Sequence, residues 1–183
     1  AGVSKKHIFY NKYLELPGFF RPTKEWDLLV VKGGELILAL EAKSQAGPSF
    51  GNNFNNRTEE AMGSAMDLWT AYREGAYNKT VKPWLGYIFL LEDCPASQSP
   101  VKVVEPHFKV FPEFVNASYA QRYEIFCRKL VRERLYNVSA FLLSDKKGGT
   151  KGIYREPAED LTFGIFSKSL IAHVGVYGTS KRT

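Results

Sequence analysis

The segment from Trp26 to Lys43 constrains the fold most. Two β-prone apolar runs, Leu28 to Val31 and Leu36 to Leu40, flank Lys32-Gly33-Gly34. Adjacent glycines between such runs specify a tight hairpin, because glycine enters the positive-φ region without a Cβ penalty. Side chains alternate along a strand, so the loop length decides which residues share a face. A three-residue turn sets Val31 opposite Glu35 and Asp27 opposite Ala39. Asp27, Glu41 and Lys43 then project from one face, and Leu28, Val30, Leu36, Leu38 and Leu40 from the other. A two-residue turn would move Asp27 among the leucines, so the odd-numbered loop is the expectation.

Two carboxylates and an ammonium gathered at the end of a hairpin suit metal-assisted phosphodiester hydrolysis. Hard oxygen ligands hold Mg²⁺, and a cation stands beside the attacking water. The carbonyl of Ala42, between Glu41 and Lys43, offers a third oxygen. The same spacing also suits a plainer arrangement, a strand end leaving the sheet with Glu41 and Lys43 as a solvated pair of little energetic value.

The 183 residues suit one domain with a real core: 44% of them are hydrophobic and 14% aromatic, which excludes a disordered chain. No apolar run approaches the ~20 residues of a membrane span, and no signal peptide is visible after Lys5-Lys6-His7. Ala1 stands where a start methionine would, so the chain is expected to begin inside a longer one. Cys94 and Cys127 lack the spacing of a zinc site or a disulfide scaffold, which makes the reduced cytoplasm the expected compartment. A formal net charge of +6 favours a polyanionic partner.

Read in order, residues 1 to 24 predict a short strand and an ordered loop broken by Pro17, Gly18 and Pro22. Glu15 there is an additional acidic group, better explained by edge exposure. Ser44 to Arg57 predicts a loop rich in amides. Asn and Gln bond adenine bidentately and Arg bonds guanine, so Gln45, Ser49, Asn52, Asn53, Asn55, Asn56 and Arg57 are the candidate DNA contacts. Asn56 with Glu59 also fits a capping box opening a helix from about Arg57 to Arg73. Pro83 to Leu91 reads as a strand buried on both faces, and a helix between two strands implies a crossover in one sheet. His107 lies in a proline-broken aromatic loop and is a weak candidate for the site. Ser118 and Gln121 open a helix predicted over Tyr119 to Tyr136, whose basic face is partly available to a DNA backbone. Val138 to Ser144 predicts a strand, Asp145 to Gly152 a loop, and Leu161 to Val174 a last helix capped by Asp160. The expected fold class is α/β, a single domain with a central mixed β-sheet flanked by helices.

Asp27, thirteen intervening residues and Glu41-Ala42-Lys43 resemble the PD-(D/E)xK nuclease motif, with Trp26 where that motif often has proline. Longer words are more specific. Leu16-Pro-Gly-Phe-Phe-Arg-Pro-Thr, Gly47-Pro-Ser-Phe-Gly-Asn-Asn-Phe-Asn-Asn-Arg, Asp67-Leu-Trp-Thr-Ala-Tyr-Arg-Glu-Gly-Ala and Cys127-Arg-Lys-Leu-Val-Arg-Glu-Arg-Leu-Tyr resemble the XhoI/PaeR7I family of type II restriction endonucleases. The resemblance covers residues 14 to 144 well and the C-terminal third loosely, and family members extend further at the N-terminal side. It implies a restriction-endonuclease-like core and a homodimer on double-stranded DNA, with one or two Mg²⁺ per site and no nucleotide cofactor. The activity implied is cleavage of both strands of CTCGAG to leave 5′ overhangs with 5′-phosphates. Carried over by position, Asp27, Glu41 and the Ala42 carbonyl hold the metal, and Lys43 serves the attacking water. A structure-specific or repair nuclease on the same fold and a non-catalytic DNA-binding fragment are the competing readings.

Overall fold

The computed structural model describes residues 3–78 and 82–178. After a 3-10 turn at Lys5–His7 come β1 (Ile8–Phe9), β2 (Glu15–Pro17), β3 (Thr23–Glu25), β4 (Leu28–Lys32), β5 (Glu35–Gln45), α1 (Phe50–Arg73), β6 (Trp84–Glu92), α2 (Pro95–Gln98), α3 (Tyr119–Arg132), β7 (Val138–Ser144), α4 (Lys146–Gly149) and α5 (Phe163–Gly178). The main sheet has five strands in the order β1-β4-β5-β6-β7, and β2 pairs with β3 apart from it. β1, β4 and β5 are antiparallel neighbours, whereas β5, β6 and β7 are parallel. The sheet is therefore mixed, and α1 and α3 make the crossovers that parallel neighbours require.

One face of the sheet carries Leu29, Ala39, Leu85, Tyr87, Phe89 and Phe141, packed with Ala61, Ala65 and Leu68 of α1 and Tyr123, Phe126 and Leu130 of α3. The other carries Val30, Leu38, Leu40, Trp84, Val138 and Ala140 against Phe166 and Val174 of α5. Both faces being covered explains why β6 and β7 read as continuous apolar runs rather than alternating ones. Phe89 lies with its ring centroid 4.0 Å from that of Tyr123, joining β6 to α3.

The hairpin differs from expectation in two ways that cancel. Its turn holds two residues: Lys32 pairs with Glu35, and Gly33 and Gly34 have φ of +62° and +77°. Val31 then pairs with Leu36 but Val30 with Leu38, so Ile37 is an extra residue. Such a bulge shifts one strand by one position and reverses the parity that the shorter turn had set. Asp27, Glu41 and Lys43 consequently stay on the Ala39 side, while Leu36 moves to that side too, away from Leu38 and Leu40. Asp27 does not stand opposite Ala39, which pairs with Leu29. α5 supports the bulge, since the Nε2–H of His173 donates to the Ile37 carbonyl at 3.1 Å.

Other boundaries also moved. α1 begins at Phe50, two turns before Arg57, because Phe50 and Phe54 pack inward on Tyr119 and Tyr123 and extend the apolar stripe. Ser49 and not Asn56 precedes its first turn. α3 has the expected Ser118–Gln121 capping box but stops at Arg132, and Arg134 takes a φ of +58°. Asp145 caps the short α4 inside the segment read as a loop. Asp160 does not cap the last helix; it pairs with Arg128, and the hydroxyl of Thr162 accepts from Ile165 N–H at the start of α5.

Candidate active site

β5 is an eleven-residue strand that runs through Gln45, so Glu41 and Lys43 sit inside the sheet and not on a departing end. β4 is shorter. Its ladder ends at Leu28 opposite Leu40, and Trp26 turns its N–H to the Leu14 carbonyl. Asp27 occupies the step between, donating its N–H to the Leu40 carbonyl at 3.1 Å while its Oδ2 accepts the Ala42 N–H at 2.7 Å. Beyond β4, the edge of β5 therefore presents Asp27 and the backbone of Ala42 together. Lys43 Nζ is paired with Glu41 Oε1 and lies 4.0 Å from Asp27 Oδ2. The aspartate side chain is 46% exposed, so it faces solvent and not the hydrophobic interior.

Glu41 is nearly buried, with Tyr87 opposite it across the β5–β6 ladder. A carboxylate in such surroundings has to be paired. Lys43 takes one oxygen and Lys24 of β3 takes the other, Nζ to Oε2 at 2.6 Å. Lys24 also donates to the Glu25 carbonyl at 2.7 Å and lies 4.3 Å from the centroid of the Trp26 ring. Burial pulls the Lys24 ammonium below its ordinary pKa, and the adjacent Glu41 carboxylate opposes that fall. The Tyr87 hydroxyl is buried with no hydrogen-bond partner among the described residues, and burial pushes its pKa up. Lys24 escaped sequence reading because Thr23-Lys24-Glu25 has the look of an exposed charged link, and nothing in it marks a strand reaching the site.

The donor set fits a hard divalent cation. Among the described residues no three His, Cys, Asp or Glu side chains gather around one point. Asp27, Glu41 and the main chain at Ala42 are all oxygen donors, and Mg²⁺ characteristically takes one or two carboxylates and completes its shell with water and substrate phosphate.

The candidate base-reading residues divide. Gln45 is not on a loop: it ends β5, is buried, and its Oε1 accepts the Tyr123 hydroxyl, leaving Nε2 without a partner among the described residues. Ser49 leads into α1, and Asn52, Asn53, Asn55, Asn56 and Arg57 lie on its first two turns rather than in a loop. Asn52, Asn55 and Asn56 form an exposed stripe at helical spacing, while Asn53 and Arg57 are half-buried and Arg57 pairs with Glu60 at 2.6 Å. No acidic residue occupies that first turn, so the positive end of the helix dipole is not neutralised there. His107 and Glu15 are exposed. On α3, Arg128 is held by Glu124 and Asp160, and Arg122 by the carbonyls of Ala117 and Val101.

The profile of restriction endonuclease XhoI matches residues 1–156. The chain is 58% identical over 179 residues to the type II restriction enzyme BstVI of Geobacillus stearothermophilus, covering 95% of this chain and 80% of that protein. It is 56% identical over 118 residues to the type II restriction enzyme XhoI of Xanthomonas vasicola and 60% identical over 109 residues to AbrI of Azospirillum brasilense, alignments that span 48% and 49% of those proteins. No solved structure matches the chain. A profile match over most of the sequence and a relative of this identity over nearly all of it establish that the chain belongs to the XhoI restriction endonuclease family, whose named members are type II site-specific deoxyribonucleases.

Proposed function

We propose that the protein is a Mg²⁺-dependent type II endonuclease that hydrolyses both strands of the palindrome CTCGAG and leaves 5′-phosphates. The observation that carries this reading is the convergence of Asp27, Glu41 and Lys43 at the point where β4 ends and β5 continues. Asp27, Glu41 and the Ala42 carbonyl hold the cation. Bound Mg²⁺ supplies an acidified water and neutralises phosphate charge. Lys43, tied to both carboxylates, stands where its ammonium orients the attacking water and stabilises charge developing on the phosphate. Asp27 is itself oriented by the Ala42 N–H, which holds the carboxylate at the sheet edge beside the Lys43 ammonium.

The exposed amides Asn52, Asn55 and Asn56, with Ser49, Asn53 and Arg57 beside them, are the proposed base and phosphate contacts. Gln45 supports them from beneath through Tyr123 and does not reach DNA. A two-fold recognition site calls for a two-fold homodimer. The proposed compartment is the cytoplasm, where the DNA is; among the described residues no helix is long and apolar enough to cross a membrane.

Incubation with Mg²⁺ and a duplex carrying one CTCGAG tests the proposal. Cleavage confined to that site, and lost in Asp27→Ala and Lys43→Ala, is the expected result. Equal cutting of duplexes with and without the palindrome would assign a structure-specific nuclease instead, and selective retention of the palindrome with no hydrolysis in any divalent metal would assign a binding fragment.

A further inference from the structure

The proposed metal site is filled by the protein's own cations. Glu41 offers two oxygens, and each is bonded to an ammonium: Oε1 to Lys43, Oε2 to Lys24. Lys43 belongs to β5 beside Glu41, but Lys24 arrives from β3, which is not part of the main sheet. Its side chain is only 12% exposed, packed over Trp26 and bonded to the Glu25 carbonyl. Two carboxylates and two ammoniums cancel, so the site as it stands has no net charge with which to draw a divalent cation.

A cation ligated by Glu41 Oε2 and an ammonium 2.6 Å from the same oxygen repel strongly in a poorly solvated pocket. One has to leave. Lys24 is able to, because its charge rides on a flexible four-carbon stem, while Glu41 is fixed in the central strand. A DNA phosphate is the acceptor that the site itself would bring within reach of the released ammonium.

Resting on the nuclease reading above, we propose that Lys24 is a displaceable counter-ion. It holds Glu41 in place while no divalent cation is bound, and it passes from Glu41 to a backbone phosphate of the DNA when the duplex docks, which opens Oε2 to the cation. Metal affinity and DNA affinity are then linked through one side chain, and the linkage is reciprocal. Lys24 acts here as a positioning residue, and the same displacement keeps the free enzyme poorly loaded with metal.

The test measures Mn²⁺ binding by the loss of its free EPR signal, with and without a CTCGAG duplex, for the wild type, Lys24→Met and Lys24→Gln. Methionine keeps the apolar stem over Trp26; glutamine keeps a neutral donor toward Glu41 and serves if the first variant is poorly folded by circular dichroism. The wild type is expected to bind Mn²⁺ at least ~10-fold more tightly with duplex than without, within the usual range of coupling between sites. Both variants are expected to bind Mn²⁺ more tightly than the wild type in the absence of DNA, by about the same factor, and to lose most of the enhancement by DNA. Unchanged or weaker Mn²⁺ binding by the free variants overturns the proposal. Failure of the nuclease reading looks different: the wild type would then bind no Mn²⁺ under either condition and cut no DNA in Mg²⁺.

Discussion

Glu41 and Asp67 are carboxylates of nearly equal burial, 3% and 2% exposed, and each fastens a piece of the segment before β4. Their partners differ. Asp67, on α1, accepts the backbone N–H groups of Phe19 and Phe20 on Oδ1, at 2.6 and 2.7 Å, and the Arg21 Nε–H on Oδ2 at 2.8 Å. Among the described residues, Glu41 accepts only lysine ammoniums. Main-chain donors locked into a loop have nowhere else to go, whereas lysines can turn to another anion. Buried charge with immobile partners builds structure, and buried charge with movable partners leaves a site able to exchange what it binds. Burial raises the Asp67 carboxyl, but the Arg21 guanidinium and the two amides outweigh that and hold it below its ordinary value.

The largest effect is expected where the partners are movable. Lys43→Ala leaves Glu41 paired with Lys24 and removes no core contact, so the melting temperature should change little. Cleavage should fall by about 10³-fold, the scale of losing one preorganised charge stabiliser. A loss of only a few-fold, measured under single turnover, would break the contrast by showing that Lys43 is as structural as Asp67.

Asp67→Ala should reverse the pattern. It strands two main-chain amides, at about 1–3 kcal/mol each, whereas the Arg21 guanidinium, 46% exposed, turns to water. Urea unfolding should register that loss, while cleavage per folded molecule stays within a few-fold of wild type. Gly18→Ala is a milder version. A Cβ at Gly18 would lie 2.3 Å from Asp67 Oδ2 and 2.6 Å from Oδ1, so the loop has to back away from its clamp, at an expected cost of about 1–3 kcal/mol. If Gly18→Ala were neutral, the loop would not be held by Asp67 at all.

These contacts also explain which parts of the molecule the sequence made legible. β6, β7 and the cap of α3 were readable because apolar runs and a Ser-x-x-Gln box are local signals. The grouping of Asp27, Glu41 and Lys43 on one side of the sheet was readable because parity survived two compensating irregularities, the short turn at Gly33-Gly34 and the bulge at Ile37. The start of α1 was not, since Asn52, Asn53, Asn55 and Asn56 have poor helix propensity and only tertiary packing of Phe50 and Phe54 makes them helical. Lys24 and the Asp67 clamp depend on pairs separated by 17 and 46 to 48 residues, and no local pattern announces contacts of that range. The words Leu16-Pro-Gly-Phe-Phe-Arg and Asp67-Leu-Trp meet in space: one supplies the loop, the other the carboxylate that holds it.

The smallest effect lies between the two extremes, at His173. Its ring is half-buried and bonds the carbonyl of the bulge residue Ile37. Burial lowers its pKa, and the bond to Ile37 only partly opposes that. A group whose folded pKa is depressed adds stability that is complete above its unfolded value, ~6.5 for histidine, and is lost as pH falls through the folded one. His173→Ala should therefore cost about 1 kcal/mol at pH 8, the net worth of one hydrogen bond, and the gap between variant and wild type should narrow on acidification below the unfolded value. Denaturation midpoints measured at pH 8 and pH 5 decide it. A constant gap would mean that His173 is held through packing alone, and that the bulge which returns Asp27 to the side of Glu41 needs no help from α5.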